Sequence, residues 1–289
     1  MPESSPLVFQ GVDFACRAKN YGDGCIIEKN NELHVAFQQT DGQRPDLMAV
    51  DCPFGTSAEF LDLLKGILPE KKPKDKSYAT RMTERVMREM VKDDYSTPCL
   101  WDDTARKMYG RKHYFHTTTH IQPTVAMRIV PKCLHWLLEE YGKISGLSGQ
   151  DFLEQLRKGN GNIIEAHPRM FLYSAIERLY HLTPKIVTRE VLYNVADYKE
   201  RAEKRRFVYG LLQTNQEWMG DFPRKLLPEE PPKELLDSNH AFDAFLSALT
   251  AWAHSKNETI TWQEAGINGE FVIHEGHFLV LRSIRRQER

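Results

Sequence analysis

The chain has 289 residues, 41% hydrophobic and 27% charged, which is typical of a soluble globular protein and excludes a disordered or fibrous one. Its 39 Lys and Arg nearly cancel its 40 Asp and Glu, so a nucleic-acid surface would require local clustering of basic residues. The five Cys are scattered without a CxxC pair, which favours reduced thiols over a disulfide framework or a zinc module. Because no secretory signal pattern and no membrane-length apolar run occurs, we expect a cytoplasmic protein without membrane contact.

The first part of the chain has the alternation and composition of β-strands. One strand is predicted in "PLVFQGVDFA", two more in "DGCIIEKNNELHVAFQQT" on either side of the turn formers Asn30 and Asn31, and a buried one in "PDLMAVDCPFG". A later strand, "NIIEAHP", is opened by glycines and stopped by Pro168.

Helical periodicity dominates the rest of the chain. Helices are predicted in "SAEFLDLLKGIL", "YATRMTERVMREMVKDD" and "IQPTVAMRIVPKCLHWLLEEYG", then in "RMFLYSAIERLYHL", "DYKERAEKRRFVYGLLQ" and "SNHAFDAFLSALTAWAH". "FPRKLLPEEPPKELLDS" reads as a Pro-rich connection and "GEFVIHEGHFLVLRS" as a hairpin. We predict one α/β domain over residues 1–289, with a helical insertion about 56–160 and a C-terminal hairpin about 269–283.

Three acidic residues stand at the ends of predicted strands: Asp13, Asp51 and Glu165. In an open α/β sheet, functional groups collect beyond the carboxyl ends of the strands, so these acids can converge. Clustered carboxylates repel one another unless a cation neutralises them, and hard oxygen ligands suit Mg²⁺ or Mn²⁺. A single strand-end acid is more often a turn former or a helix N-cap, and Asp51 before Cys-Pro-Phe is the best candidate for a turn.

A fourth acid, Asp243, lies within the apolar run of the helix around residues 238–254, three positions after His240. Helical spacing puts both residues on one side, together with Ser247. Because Ser238 or Asn239 can cap the helix, Asp243 is available to reach the strand-end acids.

Taken in order, these segments resemble a known family. The motifs are "FQGVDFA", "MAVDCPFG", "RMTER", "NIIEAHP", "YKERAEKRR" and "HAFDAFLSALTAWA". The set is similar to domain-of-unknown-function family four-two-nine, whose members are described as predicted nucleases of RNase H-like fold. The helix with His-x-x-Asp-Ala is also similar to the last catalytic helix of Holliday-junction resolvases.

The resemblance implies a mixed sheet, with a three-strand antiparallel meander followed by parallel strands, flanked by helices. It also implies that Asp13, Asp51, Glu165 and Asp243 are the catalytic acids and metal ligands. His240 occupies the place of a further ligand or a water-activating base.

Basic residues near the predicted site provide possible phosphate contacts. Arg81 and Arg85 are one helical turn apart, and His167 and Arg169 flank the strand that ends at Glu165. Arg donates in a bidentate fork that matches phosphate. The alternative roles are a salt-bridged helix surface for the first pair and the start of a helix for the second.

The sequence thus predicts a divalent-metal-dependent nuclease that hydrolyses phosphodiester bonds of DNA or RNA with two Mg²⁺ or Mn²⁺ ions. One alternative is a non-catalytic binding or scaffold protein that keeps the RNase H fold. A less favoured one is an actin-like-fold phosphotransferase, because "DFACRAKNYGDG" contains no convincing phosphate loop.

Overall fold

The structure is a computed structural model. It describes residues 5–14, 22–29, 32–37, 44–52, 54, 132–142, 146–158, 161–168, 171, 172, 175, 193, 198–214, 227–260 and 278–281. Among these residues, no helix combines the length and apolar character needed to cross a membrane.

The chain divides into two compact units. The first contains Met1–Asp51, Ala166–Ile260 and Leu279–Arg289, and the second contains Cys52–Glu165 and Thr261–Phe278. The predicted boundaries of the helical insertion and of the C-terminal hairpin stay predictions.

The first unit is built on a mixed sheet. Strands β1 (Leu7–Asp13), β2 (Gly22–Lys29) and β3 (Glu32–Ala36) form an antiparallel meander, and β4 (Leu47–Asp51) pairs with β1 in parallel. The order β3-β2-β1-β4 makes β1 a central strand. This explains its continuous burial from Val8 to Asp13, which a half-exposed strand would not show. The predictions of the meander and of the parallel fourth strand are confirmed.

Two long helices and one short helix belong to the same unit. They are α2 (Tyr198–Thr214), α3 (Lys233–Asp237) and α4 (Asn239–Ser255); in the second unit, α1 spans Gly149–Lys158. The helices predicted in "DYKERAEKRRFVYGLLQ" and "SNHAFDAFLSALTAWAH" are confirmed. Sheet and helices together place the protein in the α/β class.

Helix α4 packs directly on the sheet. Its apolar and small residues from Ala244 to Ala253 are all buried, and its backbone passes over Gly11 of β1 at a distance that leaves no room for a side chain there. Small residues on the helix and a glycine on the strand permit this close approach, as the run of Ala in the sequence predicts. The side chain of Ser238 caps α4 by accepting a hydrogen bond from the backbone N–H of Ala241.

The far end of α4 is fixed to β2. Trp252 donates its indole N–H to Oε2 of Glu28 over 3.3 Å, and Nζ of Lys256 lies 2.8 Å from the same oxygen. The chain then enters β6 (Thr259–Ile260), which pairs antiparallel with β7 (Phe278–Leu281). Helix α4 is therefore held at both ends as well as along its length.

Two parts of the structure differ from the sequence-based predictions. The Pro-rich connection contains helix α3, which starts after Pro232. Proline is tolerated at a helix start because the N–H groups there have no acceptor within the helix, so the missing N–H costs no hydrogen bond. Helix α1 was not predicted, although Ser148 marks its start by accepting a hydrogen bond from the backbone N–H of Asp151.

In the second unit, the structure describes a π-helical segment at Leu138–Gly142 and helix α1. Strand β5 (Ile163–Ala166) has all its residues buried, and all but its last residue belong to this unit. The predicted helices in "SAEFLDLLKGIL" and "YATRMTERVMREMVKDD" lie outside the described residues, as does the first arm of the predicted hairpin.

Candidate active site

Two of the predicted acids end neighbouring parallel strands. Asp13 is the last residue of β1 and Asp51 the last residue of β4, and the two are direct partners in the register. Partners on adjacent strands project from the same face of a sheet. Gly11, two residues before Asp13, faces α4, so both carboxylates leave the sheet on the side that α4 covers.

Helix α4 brings a histidine to the first of these acids. Nδ1 of His240, the second residue of α4, lies 2.6 Å from Oδ2 of Asp13. A carboxylate only accepts, so the ring donates from Nδ1, and in the neutral ring Nε2 is then the basic nitrogen. The Asp13 side chain is 10% exposed and that of His240 is 47% exposed. The pair therefore has a buried acid and a ring open to solvent.

The electrostatic surroundings favour the protonated form of the ring. The hydrogen bond to Asp13 raises the pKa of His240 above its ordinary value of 6.5, and the negative charges of Asp13 and Asp243 act in the same direction. Partial burial opposes them by disfavouring the imidazolium.

Asp243 is one helical turn beyond His240 on α4 and accepts a hydrogen bond from the hydroxyl of Tyr193. The tyrosine is buried, and its ring packs on that of Phe242 with centroids 4.7 Å apart. Sequence reasoning missed Tyr193, because a single tyrosine 50 residues before its partner carries no local signal. The contact shows that the partly buried Asp243 carboxylate is engaged by a buried tyrosine.

The fourth predicted acid, Glu165, is a buried residue of β5 in the second unit. There its Oε2 accepts a hydrogen bond of 2.9 Å from the backbone N–H of Phe54. His167 follows the same strand and its backbone carbonyl accepts from Phe171. The predicted roles of Glu165 and His167 stay predictions.

The remaining predicted phosphate contacts, Arg81, Arg85 and Arg169, lie outside the described residues.

The carboxylates of the predicted acids are the oxygen donors that Mg²⁺ and Mn²⁺ prefer. Within the described ranges, no three His, Cys, Asp or Glu side chains form a group that could hold a metal ion. Asp13, Asp243 and Glu165 each direct one oxygen at a protein donor. The predicted cluster of two Mg²⁺ or Mn²⁺ ions stays a prediction.

The arrangement does fit proton transfer. An imidazole that is oriented by a buried carboxylate and half exposed to solvent is a common general acid or base. Asp51 adds a second carboxylate at the neighbouring strand end, and Asp243 adds a third one turn along the helix. This set makes the end of β1 the candidate active site.

Comparison with known proteins gives no relative. No family model matches the chain, no curated protein matches its sequence, and no solved structure matches its fold. The resemblance to family four-two-nine and the RNase H-like fold stay predictions.

Proposed function

We propose that the protein is a phosphodiester hydrolase, a nuclease of RNase H-like fold, whose site centres on Asp13 and His240. The observation that carries this proposal is the 2.6 Å hydrogen bond between these residues, with Asp51 beside Asp13 in the sheet register. Two further features support it. The antiparallel meander followed by a parallel strand agrees with the topology that the family resemblance implies, and β1, β4 and α4 carry acids in the order that it implies.

In this proposal, His240 is the general acid that protonates the leaving oxygen in phosphodiester cleavage. Water attacks phosphorus and releases one proton to the solvent, the bond between phosphorus and the leaving oxygen breaks, and the protonated ring donates its Nε2 proton to that oxygen. Asp13 holds the ring in the required orientation, and the raised pKa of His240 keeps more of the ring protonated near neutral pH. Asp51 and Asp243 stand near the site as further acids.

Metal dependence is a separate part of the proposal. A bound Mg²⁺ or Mn²⁺ would neutralise the neighbouring carboxylates and supply an activated water. Asp13 and Asp51 are the residues of the first unit best placed by register to share such an ion.

A non-catalytic binding protein is the second candidate function. It is favoured by the engagement of Asp13 and Asp243 with protein donors and by the lack of a three-ligand group among the described residues. Acids used in this way would stabilise the packing of α4 on the sheet and perform no chemistry.

Cleavage of labelled single- and double-stranded DNA and RNA, in Mg²⁺, in Mn²⁺ and in chelator, separates the two functions. We expect cleavage by the wild type and a loss of about 10²- to 10⁴-fold in Asp13→Asn and in His240→Gln. Both variants must remain folded, which their circular dichroism spectra establish. Binding of an oligonucleotide without cleavage under all conditions would favour the second candidate, and equal activity of wild type and Asp13→Asn would refute the first.

Tyr193 provides a matched test at the same site. Tyr193→Phe removes the hydrogen bond to Asp243, whereas Tyr209→Phe removes the bond from another buried tyrosine to the backbone carbonyl of Pro228. We expect Tyr193→Phe to lower the cleavage rate about tenfold, or about 1.4 kcal/mol in the barrier, and Tyr209→Phe to leave it unchanged. Both should lower the free energy of unfolding, by about 1.5–3 kcal/mol for the charged acceptor and about 1 kcal/mol for the carbonyl. Equal rates in the two variants would show that Tyr193 has only a structural role.

A further inference from the structure

Arg205 is a charged residue in the interior of the first unit. It lies on α2, and only 3% of its surface is exposed. Its neighbour Arg206 on the same helix is exposed. Burying a guanidinium is costly unless its N–H groups are satisfied, so the contacts of Arg205 indicate what this residue holds in place.

Those contacts converge on the junction between α3 and α4. Nε of Arg205 donates to the backbone carbonyl of Leu236 over 2.9 Å, and one terminal nitrogen donates to the same carbonyl. The other terminal nitrogen donates to the side-chain oxygen of Asn239. The fork thus joins the last turn of α3 to the first residue of α4.

The junction determines where α4 begins. Ser238 between the two helices has an extended backbone, with φ −130° and ψ 130°, so the chain changes direction there. His240 is the next residue after Asn239 and meets Asp13 through a bond of 2.6 Å. A small rotation of the first turn of α4 would break that bond, because hydrogen bonds weaken steeply with distance and angle.

We propose that Arg205 is a positioning residue for His240. Its fork fixes Leu236 and Asn239, and through them sets the direction of the first turn of α4 that places the imidazole on Asp13. This inference rests on the proposed function for its catalytic meaning. The structural coupling between Arg205 and His240 is testable without any activity.

The tautomer of His240 is the direct readout. In the structure the Asp13 carboxylate accepts from Nδ1, so the neutral ring carries its proton on Nδ1 and not on Nε2. Ring ¹⁵N chemical shifts report the tautomer at a pH where the ring is neutral, and the His240→Gln spectrum assigns the signal. The variants are Arg205→Lys, which keeps the charge and loses the fork, and Asn239→Ala, which removes one acceptor only. Arg206→Met is the matched control on the exposed side of α2.

We expect the wild type and Arg206→Met to show the Nδ1–H tautomer, and Arg205→Lys and Asn239→Ala to shift toward Nε2–H. If Arg205→Lys does not fold, Asn239→Ala carries the test alone, because Arg205 and its bonds to Leu236 remain. An unchanged Nδ1–H tautomer in folded Asn239→Ala and Arg205→Lys would overturn the inference, as would its absence from the wild type.

Activity measured on the same variants keeps the two proposals apart. Where the wild type cleaves nucleic acid, a positioning role predicts a fall of about tenfold or more in kcat in Arg205→Lys and unchanged cleavage in Arg206→Met. If the wild type cleaves nothing while Arg205→Lys and Asn239→Ala show the tautomer shift, the nuclease is refuted and the positioning role of Arg205 stands.

Discussion

At the scale of single residues, the chemistry of the site depends on how His240 shares its proton. The ring is half exposed, so water competes with Asp13 for it, yet the hydrogen bond and the two nearby negative charges raise its pKa. The same hydrogen bond joins α4 to β1, because His240 lies in α4 and Asp13 ends β1. The two residues are 227 positions apart in the chain. Charge and packing are therefore coupled at this point.

This coupling predicts a pH dependence with a definite sign. A pKa raised in the folded state means that the folded protein binds the ring proton more tightly than the unfolded chain does. The contribution of His240 to the free energy of unfolding is therefore fully present below the ordinary pKa of 6.5. It is lost as the pH rises from 6.5 through the raised pKa of the folded protein. We expect Asp13→Asn to lower the pKa of His240, measured by NMR titration of the ring.

The unfolding of His240→Gln at a series of pH values provides the control. In the wild type, the free energy of unfolding should fall as the pH rises from 6.5 through the raised pKa of the ring, and in this variant that fall should be missing. An identical dependence in wild type and variant would show that the bond to Asp13 does not persist in solution.

At the scale of elements, two glycines of the sheet face α4. Gly11 of β1 and Gly24 of β2 are partners in the antiparallel register, and both face the helix. A Cβ on Gly11 would overlap the backbone of Ala244 and Ala248, whereas one on Gly24 would lie 3.5 Å from its nearest neighbours. Only the first glycine is required by the close approach of helix and strand.

Gly11→Ala and Gly24→Ala are therefore a matched pair. We expect Gly11→Ala to destabilise the fold by about 3 kcal/mol or more, because two backbones must separate and the loss extends along α4. Gly24→Ala should change the stability by less than about 1 kcal/mol, since 3.5 Å is an ordinary contact. Denaturant unfolding of the two variants gives the comparison, and equal destabilisation would contradict the packing of α4 on β1.

The same elements show what the sequence could and could not predict. The boundaries of β1, β4 and α4 follow from local patterns of apolar residues, turn formers and a capping serine, and all were predictable. Helix α3 was not predicted, because it lies in a Pro-rich stretch and prolines locally favour a connection between elements. Tertiary contacts stabilise it, since Leu235 is fully buried and Arg205 binds its last turn.

For the candidate site, the residue types were predictable and the partnerships were not. The strand-end position of Asp13 and its relation to His240 on a late helix were expected from the pattern and the family resemblance. The direct contact of Asp13 with the His240 ring joins residues that are 227 positions apart in the chain. The contact of Tyr193 with Asp243 joins residues that are 50 positions apart. Such contacts depend on the tertiary fold, which a sequence pattern does not specify.

At the scale of the first unit as a whole, α4 is the element around which the other parts assemble. It covers β1, β2 and β4, receives α3 at its start, and is joined to Glu28 of β2 near its end. Buried hydrophobic contacts set the free energy of local opening, so an element with most of its residues buried opens only when the unit unfolds. Helix α3 is different, because Leu235 alone among its residues is buried.

Native-state hydrogen exchange tests this hierarchy. We expect the amides of β1 and of α4 from Ala244 to Ala253 to exchange most slowly, with an opening free energy equal to that of unfolding of the first unit. The amides of α3 should exchange through a smaller local opening that weak denaturant barely changes, because little surface is exposed when it opens. In Gly11→Ala, protection of β1 and α4 should fall together, since one unfavourable contact separates both elements. Protection of α4 that survived while that of β1 was lost would mean that the helix does not depend on the sheet. The Asp13–His240 pair would then join two parts that move independently, and an acid–base role that needs a fixed geometry would fail with it.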